Sequence, residues 1–325
     1  MFGLFGAPFK PDRDIPSLVG KVIFITGANG GLGYESLIHL AKHNPEKIYL
    51  CARSKAKYDA AMKGITAAVP NAASFVIYLE LDLASLSSVA TAADSFSAEN
   101  SRLDILMNNA GIMAQPPALT KDGYEIRFGT NHVGHYLLTK RLLPIMQKTA
   151  AEPNADVRII NLTSGAYKFA PEPTGFIPAT CTTDMASYDT FVRYGQSKLA
   201  NILFTNELVR RYPAITSVSI HPGLVETGLS TPFAEAYPWL SFFLRPIWML
   251  VAKQPSVGAY NQTWASVAPV EGKAGTDKER LKPVKPGGYY VPVAKEGSMT
   301  KFAKDGELAK QLWDWTEAEL QKHGY

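Results

Sequence analysis

Lys21-Val-Ile-Phe-Ile-Thr-Gly-Ala-Asn-Gly-Gly31-Leu-Gly33 is the stretch whose reading decides the fold. Its first six residues are a continuous apolar, β-branched run with no polar alternation, the mark of a strand covered on both faces. The run opens directly into Gly27, Asn29, Gly31 and Gly33, and from Leu32 onward a helix follows with Leu37, Leu40 and Ala41 on one side. Glycines permit the tight turn and let a pyrophosphate approach the backbone. The helix N-terminus adds unpaired N–H groups and the positive end of its dipole. Strand, glycine turn and helix together fit a dinucleotide.

Working outward, the same alternation repeats. Lys47 to Arg53 reads as a second strand, Phe75 to Asp82 as a third and Leu103 to Asn108 as a fourth. Val157 to Thr163 and Thr216 to His221 read as the fifth and sixth, and Gly288 to Val293 as a late seventh. Helical stretches at 85–98 and 131–147 separate them. Such alternation predicts an α/β fold: a doubly wound, Rossmann-type, mainly parallel sheet of seven strands with right-handed crossovers. No repeat or linker divides the chain. The expected organisation is an N-terminal arm (1–17), a single domain (18–300) and a C-terminal helix (301–325).

Composition narrows the class. The chain has 325 residues, 46% apolar and 19% charged, enough for a large buried core in an ordinary globular protein. A net charge of +4 without a Lys/Arg block argues against a nucleic-acid surface. Two cysteines, Cys51 and Cys181, make no disulfide framework, so the expected compartment is reducing and cytoplasmic. The apolar Met1 to Phe9 is short and lacks a basic start, so it reads as a docking arm rather than a signal peptide. Trp239 to Val251 is apolar, but Arg245-Pro246 interrupts it and it falls short of the ~20 residues of a membrane span. A peripheral membrane contact and a homodimer are left open.

Tyr194-Gly-Gln-Ser-Lys198 lies in a helical pattern running through Leu199, Ile202, Leu203 and Leu208. At i and i+4, the phenol and the ammonium share one face, with Cβ atoms about 6 Å apart. A free phenol titrates near ~10, and a neighbouring ammonium is expected to draw it down towards neutrality, where a general acid or base works best. Other signals stand in order along the chain. Asn108-Asn109-Ala110-Gly111 follows the fourth strand, and Asn131-His-Val-Gly-His135 opens a helix. Ser164 ends the fifth strand; Pro222, Gly223, Val225 and Thr227 follow the sixth. His132 and His135 lack the accompanying carboxylate or cysteine pattern of a metal site, and none is expected. His221 reads as structural.

Taken together, these motifs resemble the short-chain dehydrogenase/reductase family over about residues 18 to 270. Thr130-Asn-His-Val-Gly-His-Tyr-Leu-Leu-Thr139 and Ser197-Lys-Leu-Ala-Asn-Ile-Leu-Phe-Thr205 are similar to its retinol dehydrogenase and WW-domain oxidoreductase branch, without any WW module. The resemblance implies a catalytic tetrad of Asn131, Ser164, Tyr194 and Lys198. Tyr194 would deliver the proton to a carbonyl oxygen that takes on negative charge as hydride reaches its carbon. Ser164 would donate a hydrogen bond to that oxygen. Lys198 would lower the phenol's pKa and bind the nicotinamide ribose, Asn131 would hold a water linking Lys198 to solvent, and Thr227 would bond the carboxamide. Asn109, Ala110 and Gly111 would line the dinucleotide, as would Pro222, Gly223 and Val225.

At the end of the second strand, a carboxylate would bind the adenosine ribose diol and repel a 2′-phosphate. Here stand Arg53 and Lys55 and no acid, which favours NADP(H). Asn29 and Gly30 occupy positions where a second cation would strengthen that choice, so NAD(H) stays the second candidate. Asp82 and Leu83 offer a hydrogen bond to the adenine edge. Two aromatic-rich segments flank the tetrad: Tyr167, Phe169, Phe176, Met185, Tyr188 and Phe191, then Phe233 through Leu250, a lid at about 228–253. They read as walls for a small lipophilic carbonyl or alcohol of retinoid, steroid or polyketide size. Two other classes stand beside this one: a non-redox cyclase or isomerase on the same scaffold, and a cofactor-binding regulatory protein.

Overall fold

The structure, a computed structural model, describes residues 9–225, 253–272 and 281–325. A helical turn α1 (Pro11–Asp14) precedes β1 (Val22–Thr26). Then come α2 (Gly31–Ala41), β2 (Lys47–Ala52), α3 (Lys55–Ala68), β3 (Val76–Glu80), α4 (Leu86–Glu99) and β4 (Ile105–Asn108). The next stretch holds α5 (Ile126–Phe128), a π turn (Gly129–Val133), α6 (Gly134–Ala150), β5 (Arg158–Leu162), α7 (Thr190–Arg211) and β6 (Thr216–Ile220). The remainder forms α8 (Pro255–Gly258), α9 (Tyr260–Val267), β7 (Tyr289–Val291), β8 (Lys295–Glu296), α10 (Lys301–Lys304) and α11 (Gly306–Lys322).

The sheet order is β3-β2-β1-β4-β5-β6-β7-β8, parallel except for the last, antiparallel pair. The order reverses direction between β1 and β4. Loops leaving these two strands therefore diverge and open a crevice at their carboxyl ends, where ligands bind in open α/β sheets. Both faces are covered, as the apolar run predicts. Val22 and Phe24 join Tyr49, Cys51 and Leu106 in a core with α4, α6 and α7. Ile23 and Ile25 join Ile48, Leu50 and Met107 in a second core with α2, α3 and α9. Each such side chain contributes about 1.5–3 kcal/mol on burial, so β1 is the seam that fixes both layers.

Two expectations are corrected. The sheet has eight strands among the described residues, not seven. The eighth is the exposed pair Lys295–Glu296, held to β7 by backbone alone and carrying the charges that guard a sheet edge. The C-terminal segment is two helices. Asp305 ends the first, and its side chain accepts from Leu308 N at 3.0 Å to start the second. Helix α11 lies on α6 and α7, with Trp313 against Tyr136 and Phe204 at ring-centroid distances of 4.9 and 5.8 Å.

Candidate active site

Helix α7 starts at Asp189, whose carboxylate accepts from Phe191 N at 2.7 Å. One turn in, it brings Tyr194 and Lys198 beneath the end of β5, 6% and 3% exposed. Lys198 Nζ donates to the Leu162 carbonyl at 3.2 Å and lies 5.7 Å from the Tyr194 ring centroid. Two further bonds clamp helix to strand: Thr163 Oγ1 donates to Lys198 O at 2.7 Å, and Asn201 Nδ2 to Leu162 O at 2.9 Å. Ser164 follows β5, accepts from Ala166 N at 3.2 Å, and its hydroxyl stands close enough to the Tyr194 phenol to pull its pKa down.

Asn131 sits in the π turn, whose wider ring rotates a side chain out of the ordinary helical register. Its Nδ2 donates to Ile112 O and to Ser197 Oγ, both at 3.0 Å, and its Oδ1 accepts from Ile112 N at 2.9 Å. Both amide protons are thus used, and a lone pair of Oδ1 is what the side chain has left to offer. Gly111, after β4, closes the group. A Cβ there would lie 3.2 Å from Lys198 Nζ and 3.3 Å from Asn131 Oδ1. The four residues of the expected tetrad converge on one spot.

The expected lowering of the Tyr194 pKa is not what the free chain has. Burial pushes the phenol up to about 12, against the downward pull of the Ser164 hydroxyl. Burial also brings the Lys198 ammonium down to about 7. Desolvation acts on both charged forms, and it outweighs their mutual help. In the unfolded chain a lysine titrates near ~10.4. Between about 7 and that value the unfolded chain holds a proton the folded chain has shed, so this group makes stability rise with pH over that window. Urea unfolding of the dinucleotide-free protein at pH 7 and pH 9 checks it: wild type should gain on Lys198→Met at the higher pH. A constant difference would overturn the expectation.

The glycine turn fits a dinucleotide phosphate. Gly27 and Gly31 have φ of +66° and +55°, values that favour glycine. At Gly33 a Cβ would run into Asn109 Nδ2 and come within 2.6 Å of Gly27 O. Gly30 caps α2 with no side-chain bond and open space before it, while Asn29 and Leu32 beside it are half-buried. Arg53 is exposed beyond β2. Lys55 is already held by Asp59 and sits 5.0 Å above the Tyr58 ring, so Arg53 is the freer of the two cations. Asp82 is half-buried and accepts from Ala84 N at 3.1 Å, with Leu83 buried behind it. Ala110 N reaches Thr26 Oγ1 at 2.9 Å. Pro222 and Gly223 leave β6, the latter at φ +89°, and Val225 is buried and bridged to Lys253. Thr227 and the expected lid, apart from Lys253, lie outside the described residues, as do residues 1–8 of the arm.

The sequence reading missed Thr26 and Gln262. Thr26 receives the main-chain N–H groups of Asn109 and Ala110, and Gln262 donates to Asn109 Oδ1 at 3.2 Å. A lone hydroxyl ending an apolar strand was the available signal for the first. Part of the expected substrate wall is core instead. Phe176 stacks on Phe128 and meets Trp315, Met185 is buried, and Tyr167 OH accepts from Thr300 N. Phe169, itself exposed, pairs with the half-buried Phe191 at 5.8 Å. A cleft of about 480 Å³ between α6, α7 and α11 includes none of the tetrad. Among the described residues no group of three His, Cys, Asp or Glu is placed for a metal, and no helix is long and apolar enough to cross a membrane.

The family model for short chain dehydrogenase matches residues 21–175. A short-chain dehydrogenase/reductase of Aspergillus calidoustus is 38% identical over 95% of this chain and 96% of its own. Human retinol dehydrogenase 13 is 36% identical over 91% of this chain and 83% of its own. Among solved structures, an uncharacterized Mycobacterium paratuberculosis protein superposes with a TM-score of 0.71 at 29% identity, covering 98% of both chains.

Proposed function

The chain belongs to the short-chain dehydrogenase/reductase family, in the retinol dehydrogenase branch, and from that premise we propose a carbonyl–alcohol oxidoreductase for lipophilic substrates that prefers NADP(H). That it is an NAD(P)-dependent enzyme follows from the family. The observation that carries the finer reading is that Lys198 stands beside both Tyr194 and Gly111, with Asn131 at Gly111 and Ser164 near the Tyr194 phenol.

The nicotinamide group supplies or accepts hydride when bound. Every other requirement falls on side chains. The Tyr194 phenol is protonated at neutral pH and can pass its proton to a carbonyl oxygen as that oxygen gains charge. The Ser164 hydroxyl donates to the same oxygen and holds it in line. Lys198 stands where it can bind ribose hydroxyls, and its ammonium, once charged, favours the phenolate left behind. Asn131 joins this group to the loop at Ile112 and to α7 at Ser197. The exposed Phe169 beside Phe191 supports an apolar substrate, as does the retinol named for the human relative.

Two measurements test this. Purified protein is offered NADPH with a size series of apolar aldehydes and ketones; stoichiometric NADPH loss is expected, and none across the series would favour a non-redox or regulatory role. NADPH and NADH are then titrated against wild type and Arg53→Ala. A charge-assisted contact contributes roughly 1.5–3 kcal/mol, so NADPH should weaken about 10- to 100-fold while NADH barely changes. Tighter binding of NADH than NADPH by wild type would overturn the preference.

A further inference from the structure

Thr26 closes β1 just before the glycine turn, and its hydroxyl oxygen accepts two N–H bonds, from Asn109 and Ala110, both at 2.9 Å. Its lone pairs are then filled, and its single proton must go to an acceptor. His135 Nε2 stands at 2.8 Å, against 3.4 Å for the Met107 carbonyl. The other ring nitrogen, Nδ1, lies 3.0 Å from the main-chain carbonyl of Asn131. A carbonyl only accepts, so Nδ1 carries the hydrogen and Nε2 is bare. The imidazole is 2% exposed, and burial brings it down to about 4, so the neutral form persists at ordinary pH. His132, three residues earlier, has the opposite tautomer. Thr316 Oγ1 gives its proton to Leu312 O and so accepts from His132 Nε2, pointing that ring at α11.

We propose that His135 is a positioning residue: it ties the cofactor-side loop, through Thr26, to the π turn that carries Asn131, so that one neutral ring sets both ends of the site. The inference rests on Asn131 belonging to the tetrad. It predicts a separation that simple loss of packing would not produce. The Asn side chain places its amide nitrogen where Nδ1 stands and leaves Thr26 only the longer bond to the Met107 carbonyl at 3.4 Å. The Gln side chain places its amide oxygen near Nε2 and releases the Asn131 carbonyl.

The experiment compares His135→Asn and His135→Gln in the full chain, with NADPH affinity from fluorescence titration and kcat from decanal reduction. A hydrogen bond lost from a buried site is worth on the order of a tenfold change. His135→Asn should keep kcat within ~3-fold and weaken NADPH about tenfold; His135→Gln should do the reverse. Equal losses in both parameters, or no loss in either, would overturn the proposal. Asn131→Ala runs alongside. Wild-type turnover there would fault the tetrad, whereas impaired turnover with an unaffected His135→Gln would fault this proposal alone. Ring nitrogen NMR of the labelled wild-type chain needs no variant and no turnover: an Nδ1–H signal with bare Nε2 is expected, and an Nε2–H signal overturns it.

Discussion

Replacing Tyr194 by Phe should lower turnover by at least the ~100-fold typical of a lost general acid, with dinucleotide affinity nearly unchanged. The ring is buried and Phe keeps its volume, so α7 should hold its place against β5 through Thr163 and Asn201 as before. What disappears is one hydroxyl, the group whose pKa Ser164 pulls down. The substrate oxygen then faces a Ser164 donor but no proton source. The loss should therefore appear in kcat, since this interaction is made mainly as charge develops. Steady-state kinetics on any substrate from the aldehyde and ketone series checks it. Turnover within a few-fold of wild type would remove Tyr194 from the mechanism.

Glu125→Ala is expected to cost about 3–5 kcal/mol of folding stability. Glu125 and Arg127 are both fully buried. One carboxylate oxygen accepts from Arg127 Nη1 at 2.8 Å; the other accepts from Arg127 N at 2.9 Å and Phe128 N at 2.7 Å, capping α5. Arg127 also donates to Met113 O at 2.5 Å, to Thr190 Oγ1 at 2.9 Å and to the Gln115 carbonyl. Without Glu125 a guanidinium stays in the interior uncompensated and two helix N–H groups lose their acceptor. Domains are stable by only ~5–15 kcal/mol, so this is a large share. Urea unfolding measures it, and a change below about 1 kcal/mol would mean the pair is better solvated than its burial indicates.

How far the sequence could be read depended on whether a feature left a local pattern. The run before Gly27 carries its own message, because Val22 and Phe24 in one core and Ile23 and Ile25 in the other leave no polar alternation before the terminal Thr26. The meeting of Tyr194 with Lys198 was legible because the two share a helix face; that Ser164 and Asn131 belong with them was implied by the family resemblance, and the four are proposed here as the tetrad. The π turn at Asn131 was not legible, since it comes from tertiary bonds to Ile112 and Ser197 rather than from helix propensity. Phe176 was read as a substrate wall because an aromatic beyond a strand end looks the same whether it faces a ligand or, as here, Trp315 from a segment nearly 140 residues later. The Tyr194 pKa was misjudged because i, i+4 spacing gives the ammonium's distance and not the depth to which both groups are buried.

The placement of α11 bears on how the protein is made. A ribosome delivers helix α7 long before residues 306–322, yet Tyr136 and Phe204 wait for Trp313, and His132 waits for Thr316. While synthesis continues, the nascent chain shows an aromatic seam on α6 and α7 that nothing later than α7 has yet covered, the kind of transient surface that holdase chaperones bind. Translation pauses in the final stretch of the message would prolong that exposure, whereas pauses before α7 would not.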